Sequence, residues 1–387
     1  MNAGKYIFAQ LVDFLPQRVF DTIVSQYDGN KYIRHFSCWN QMLCMLFGQL
    51  THRESLRDLI VVLDAHSRKS YHLGFGKSVT RSNLSKANER RSYKIFEAYA
   101  YHLIGIARKK RANEDFEIKG KIYAFDSSTI DLCLSVFWWA TFRKKKAGIK
   151  LHTLYDISTQ IPAFIHITAA TVNDVNAMDV IPYEAAAYYV FDRGYVDYAR
   201  LYRINSWQAW FVVRAKSNMK FNRMYSQKVD KKTGVLCDQI GKLSGYQSQK
   251  QYPEKIRRIK YYDAETKKTF VFLTNNMELS ALQIALLYKN RWQVELFFKW
   301  IKQHLKIKSF WGTTENAVKI QIYSAIIAYC LVAIVATELK IERSTYEILQ
   351  IIGISLLDKT TVNELLTNTI YKNDDTIFSN QLTIRWF

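Results

Sequence analysis

The sequence predicts an α/β fold: a mixed-sheet core, interrupted by a β-rich insertion and preceded by a helical region. Three observations carry this. Apolar residues recur at helical spacing through roughly the first 118 positions. From Lys119 onward the texture changes to short apolar runs rich in β-branched and aromatic residues, as strands require. Long helical periodicity then returns after about residue 276. With 4 Pro and 14 Gly in 387 residues, the chain favours long uninterrupted elements over linkers.

The helical region, 1–118, shows one apolar face through Trp39, Met42, Leu43, Met45 and Leu46, and another through Leu56, Leu59, Ile60 and Leu63. A break around Gly74 and Gly76 follows. Thr80-Arg81-Ser82-Asn83 then opens a helix expected to run on through Ala87, Tyr93, Ile95, Phe96 and Tyr99. Its first half carries Arg81, Lys86, Arg90, Arg91 and Lys94. A helix, a Gly-containing turn and a basic helix match a helix-turn-helix-like DNA reader; a solvated basic face on an ordinary bundle has the same pattern. The run Arg108-Lys109-Lys110-Arg111 and the polar residues after it read as a linker and the first domain boundary.

The segments KIYAFDSSTIDLCL, GIKLHTLYDI and PAFIHITAA read as three successive strands. A short helical stretch near Ala177 leads to strand AAAYYVFD, helix VDYARLYRIN and strand QAWFVVRAK. Three strands in a row, then strand, helix, strand, give a mixed sheet. The core is assigned to 119–216 and 276–340, and the alternating polar stretch 217–275 to the insertion. Ser280 caps one long helix, SALQIALLYKNRWQVELFFKWIKQHLK, and a second runs from about Glu315 to Lys340. The second is apolar enough to span a membrane, but Gln321 and Ser324 favour a buried core helix. A tail, 341–387, is helical and then irregular.

A net charge of +21, from 55 Lys+Arg against 34 Asp+Glu, points to a polyanionic partner, nucleic acid first. The five cysteines are widely spaced and form no CxxC pair, which argues against disulfides and structural zinc and for buried thiols in a reducing cytoplasm. Asp13 interrupts the apolar N-terminal run, so no signal peptide is read there. There is no GxxxxGK[ST], no GxGxxG and no recognisable nucleophile motif.

The chemistry is expected from three carboxylates in apolar settings. Asp126 closes Ile122-Tyr123-Ala124-Phe125, Asp192 closes Tyr188-Tyr189-Val190-Phe191, and Glu295 lies among Trp292, Val294, Leu296, Phe297 and Phe298. A lone carboxylate in such a place is costly unless paired, protonated or metal-bound. Three of them converging would supply hard oxygen ligands to divalent cations, best to Mg²⁺. Two such ions can clamp an in-line displacement at phosphorus. On the long helix from Ser280, Tyr288, Arg291, Glu295 and Lys302 fall at offsets that share one face. Arg291 and Lys302 there would serve phosphate groups, although Arg291 to Glu295 is also an ordinary helical ion pair. His152, Lys144-Lys145-Lys146, Arg214 and Lys216 are secondary candidates.

In these motifs the sequence resembles the DDE transposases of bacterial insertion sequences. Tyr288-x2-Arg291-x3-Glu295-x6-Lys302 looks like their Tyr-Arg-Glu-Lys signature. Asp126-Ser127-Ser128-Thr129 looks like their first-Asp strand, Asp192-Arg193-Gly194-Tyr195 like their second-Asp motif, and Lys150-Leu151-His152-x3-Asp156 like the strand between. The one departure is Ser128, where Thr is common. The resemblance implies an RNase H-like core in which Asp126, Asp192 and Glu295 are catalytic and bind two Mg²⁺ ions, with Mn²⁺ as a substitute. It implies cut-and-paste transposition of double-stranded DNA, cleaved at terminal inverted repeats and joined to target. It further implies a homodimer in a paired-end complex, phosphate contacts from Tyr288, Arg291 and Lys302, and a flipped base stacked on a Trp, for which Trp292 is the candidate. The N-terminal residues Arg81, Lys86, Arg90 and Arg91 would read the repeats, in a bacterial cytoplasmic protein working at the nucleoid without a membrane. An RNase H-like nuclease lacking strand transfer, and a non-catalytic DNA-binding descendant, remain the alternatives.

Overall fold

The computed structural model describes residues 4–76, 79–112, 118, 120–133, 137–143, 146–304 and 310–367. Helices α1 (Ile7–Val12), α2 (Gln17–Gln26), α3 (Cys38–Leu50), α4 (Leu56–Ala65), α5 (Arg81–Arg90) and α6 (Tyr93–Arg111) form the N-terminal bundle. Side-chain oxygens start the later ones: Ser37, Ser55 and Thr80 each accept the third backbone N–H of their helix, and Ser92 accepts from Lys94. The expected single helix after Thr80 is therefore two. Arg91 is extended, and Ser92 starts α6 anew. The predicted linker at Arg108 is also helix, since α6 continues to Arg111. The linker's later residues, 113–117, lie outside the described residues, as do Lys144, Lys145 and the tail from 368.

The core contains β1 (Ile122–Leu132), β2 (Thr141–Arg143), β3 (Lys146–Asp156), β4 (Ile161–Ala169), β5 (Tyr188–Phe191), α7 (Tyr198–Ser206) and β6 (Trp210–Arg214). β1, β3 and β4 form an antiparallel meander, and β5 and β6 add on the other side of β1, parallel to it. This is the RNase H-like strand arrangement. The next segment gives β7 (Phe221–Gln227), β8 (Val235–Leu243), α8 (Tyr246–Gln251), β9 (Ile256–Asp263) and β10 (Lys268–Thr274). It is not a separate sheet, because β10 pairs antiparallel with β6 and the insertion extends the core into one ten-stranded sheet. Inside it, Arg257 forks onto Asp238 with Nε–Oδ1 2.8 Å and Nη2–Oδ2 2.7 Å, and its Nη1 donates to the Leu279 carbonyl at 2.6 Å. That pair ties β8 and β9 to the segment entering the next helix.

The expected 27-residue helix from Ser280 is also divided, into α9 (Ala281–Lys289) and α10 (Trp292–His304). Arg291 donates its backbone N–H to Tyr288, three residues back, so the chain tightens at the joint. α11 (Glu315–Glu338), α12 (Thr345–Ser355) and α13 (Val362–Thr367) complete the fold. α11 is long and apolar enough to cross a membrane, yet 94% of that stretch is buried inside the protein. It packs on α3, α5, α6 and α12, and its Tyr329 ring meets Phe297 and Trp300 of α10 edge-on. Cys38, Cys44 and Cys330 are buried as expected; Cys133 is exposed.

Period-two alternation sorts the strand residues between two faces. Ile122 and Ala124 of β1 and Val190 of β5 join the helical core, while Tyr123, Phe125, Tyr189 and Phe191 join a second cluster with α7.

Candidate active site

The parallel register pairs Phe125 with Phe191. One step further, Asp126 and Asp192 lie side by side, both turned toward the face that α9 and α10 cover. This is where the parallel pairing ends: β5 stops at Phe191, while β1 runs on to Leu132 against β3, which opens the sheet beside the two acids. Ser127, one residue on, turns to the opposite face.

A single arginine organises the acids. Arg291, at the joint between α9 and α10, donates Nη1–H to Asp126 Oδ2 at 3.0 Å and Nη2–H to Glu295 Oε1 at 2.6 Å. Its guanidinium also sits 5.7 Å from the Tyr288 ring centroid, and the Tyr288 hydroxyl donates to Asp192 Oδ1 at 2.9 Å. Lys302, further along α10, donates Nζ–H to the Thr129 carbonyl of β1 at 2.7 Å. The four signature residues therefore gather despite the break in their helix. Glu295 corrects one expectation: its side chain is 56% exposed, because it points along the open side of α10 rather than into the apolar flank. Trp292 is half exposed rather than core, and with Asp192, Arg214, Tyr288 and Arg291 it lines a cavity of about 350 Å³.

The electrostatics distinguish the two aspartates. Burial raises the Asp126 carboxyl above the usual range; Arg291 and the Ser127 N–H oppose this, and Glu295 and Asp192 add to it. Burial pushes Asp192 the same way, but the Arg193 N–H, the Tyr288 hydroxyl, Arg291 and Arg214 outweigh it and leave its carboxyl lowered. Burial, with Asp192, lifts the Tyr288 phenol to about 12, so it remains a donor. Asp126 Oδ1 accepts the Ser127 N–H at 2.8 Å. Tyr195, from the turn after Asp192, is buried, and its hydroxyl lies 2.9 Å from Ser127 Oγ and 3.5 Å from Asp126 Oδ1. Sequence reasoning gave Tyr195 no role beyond its motif. Its position three residues after Asp192, in a turn aimed back at β1, is the signal that was available.

Three carboxylates are hard oxygen donors and suit a divalent cation. As the side chains stand, no three His, Cys, Asp or Glu among the described residues converge closely enough to hold one ion. The Arg291 guanidinium lies between Asp126 and Glu295, on the oxygens such an ion would use.

The other predicted residues separate. Arg81, Lys86, Arg90 and Lys94 are exposed. Arg91 is not part of that face: it is buried, donates to Gln41 Oε1 at 3.0 Å and to the Phe36 carbonyl, and stacks on the Phe36 ring. Its partners come from the bundle, which the charge pattern of one helix cannot reveal. Asp156 is buried, accepting from Arg108 and capping the turn at Ser158 and Thr159. His152 is fully buried beneath the site, on the Ser127 face, bonded through Nε2 to Thr168 Oγ1 at 2.9 Å. Arg193, Arg214, Lys216, Arg223 and Arg258 line a second cavity, of about 570 Å³, between core and insertion, with no carboxylate in its wall among the described residues.

Residues 117–331 match the family model for the transposase DDE domain, and residues 3–76 match that of a domain of unknown function. A putative transposase of Sinorhizobium fredii is 35% identical over 271 residues, covering 69% of this chain and 74% of that one. A probable transposase for an insertion sequence element of Geobacillus stearothermophilus is 33% identical over 219 residues, covering 53% and 54%. A putative insertion-sequence transposase of Synechocystis is 27% identical over 66% of this chain and 72% of that one.

Proposed function

Because the chain belongs to the DDE-domain transposases of bacterial insertion sequences, we propose that Asp126, Asp192 and Glu295 are its catalytic triad and hold two Mg²⁺ ions, replaceable by Mn²⁺. As a DDE transposase it is an enzyme that acts on DNA and depends on divalent metal. The reaction we assign is cut-and-paste: cleavage at terminal inverted repeats, then attack of the freed 3′-hydroxyl on target DNA. The observation that carries this reading is the side-by-side placement of Asp126 and Asp192, with Glu295 bound to the same arginine as Asp126.

When bound, the ions would activate the attacking oxygen and stabilise the leaving one. The chain's own residues prepare the site. Tyr288 orients Asp192, and the Ser127 N–H holds one oxygen of Asp126. Arg291, Lys302 and Arg214 are positioned to take phosphate oxygens, for which a guanidinium fork is well matched. Trp292, half exposed beside the site, can stack an unpaired base. Arg81, Lys86 and Arg90 form the face assigned to the terminal repeats, and two copies are expected in the paired-end complex at the nucleoid.

The test uses labelled end DNA, a target plasmid and Mg²⁺. Joined product is expected. Asp126→Asn and Glu295→Gln should each lower cleavage by roughly 10³-fold or more while leaving end binding near that of the parent. Cleavage without joining would make the protein a plain nuclease; full cleavage by either variant would remove the triad assignment.

A further inference from the structure

We propose that Arg291 is a positioning residue that occupies the cation's place, holding Asp126 and Glu295 together until nucleic-acid phosphate draws its guanidinium away. This rests on the carboxylate reading above and adds to it a regulation of metal entry.

The geometry supports exclusion. Arg291 uses Asp126 Oδ2 and Glu295 Oε1, one oxygen from a strand and one from a helix, at 3.0 and 2.6 Å. A divalent ion takes carboxylate oxygens at about 2.1 Å in the case of Mg²⁺. Donor hydrogens directed along the same lone pairs cannot remain there beside it. Guanidinium and metal are alternatives for the same two oxygens.

Arg291 is also held less completely than a permanent brace. Its side chain is 14% exposed, and its Nε–H is buried with no hydrogen-bond partner among the described residues. An unmet buried donor costs stability. Arg257, by contrast, satisfies Nε and both terminal nitrogens. Arg291 stands at the joint between α9 and α10, so its side chain can swing without unwinding either helix. Phosphate offers a charged fork partner to replace the carboxylates. Metal and DNA would then bind cooperatively, each favouring the arrangement in which the arginine has moved. The free chain would hold little metal.

Mn²⁺ binding to the full chain, followed by the electron paramagnetic resonance of free Mn²⁺, tests this without relying on turnover. The parent should bind Mn²⁺ weakly alone and roughly tenfold or more tightly with a short mixed-sequence duplex present. Arg291→Gln should show that tighter binding without DNA. Arg291→Lys keeps the charge but loses the fork, and should bind nearly as tightly as Arg291→Gln; its melting temperature reports that it is folded. If Arg291→Gln binds no tighter than the parent, the proposal is overturned. It is equally overturned if Arg291→Lys behaves like the parent, since charge rather than place would then set the affinity. Adding Asp126→Asn to Arg291→Lys should abolish the tight site. Retention of that site would instead overturn the carboxylate reading, separately from the role of Arg291.

Discussion

Arg257 and Arg291 both meet carboxylates in this fold, and they do so in opposite ways. Arg257 gives two nitrogens to one acid, Asp238, and the two side chains are 2% and 4% exposed. Arg291 divides its nitrogens between two acids from different elements, and Glu295 is largely in solvent. The first arrangement is closed on itself: the two charges meet each other through a fork, and neither is shared with a second element's acid. The second is open, with acids that can exchange one cation for another. Burial of a charged residue therefore does not by itself mark a site; what marks it is whether the partners are shared and reachable.

The largest expected effect tests the closed side. Asp238→Ala leaves a guanidinium buried without its acid and should cost roughly 3–5 kcal/mol in urea unfolding. Glu295→Ala, on the open side, should cost under about 1 kcal/mol. Equal losses would erase the distinction.

A second way to seal a polar group is to keep it uncharged. His152 is fully buried, and burial lowers its pKa to about 4, helped by His166 and Lys150 against Asp174. Because the folded value lies below the ordinary 6.5, the unfolded chain binds more protons between the two. Stability is thus complete above about pH 6.5 and falls as the pH drops toward 4, by roughly 3 kcal/mol from this residue. His152→Gln should flatten that part of the melting-temperature profile relative to the parent. An unchanged slope would mean the histidine does not stay neutral on folding.

The smallest effect separates the basic residues of the bundle. Lys86→Gln should reduce the slope of log affinity against log salt for DNA by about 0.9, with little change in stability. Arg91→Gln should leave the slope alone and lower the melting temperature, since its guanidinium is already engaged by Gln41 and Phe36. The reverse outcome would put Arg91 on the DNA face.

Strands, their order and the motif acids were legible because an apolar run ending in Asp is locally expensive and two such runs at strand spacing are hard to explain otherwise. The helix breaks at Arg91–Ser92 and Asn290–Arg291 were not. An interruption of one or two residues hardly disturbs the phase of apolar spacing, so periodicity carries across it. Glu295 was misjudged for a related reason: Leu296 and Trp292 beside it are themselves half exposed, so apolar neighbours in sequence did not mean an apolar surround. The union of insertion and core depends on β6 meeting β10, a pairing between residues far apart in the chain that no local pattern records.

α11 contributes to both halves of the molecule. It lies under α3, α5 and α6, and the same helix abuts α10 through Tyr329. The basic face on α5 and the carboxylates beside α10 are thus mounted on one beam. If a duplex is held at the first and cut at the second, as proposed, its backbone meets the carboxylates at a fixed offset, and the protein acts as a ruler that measures the cut from the sequence it holds.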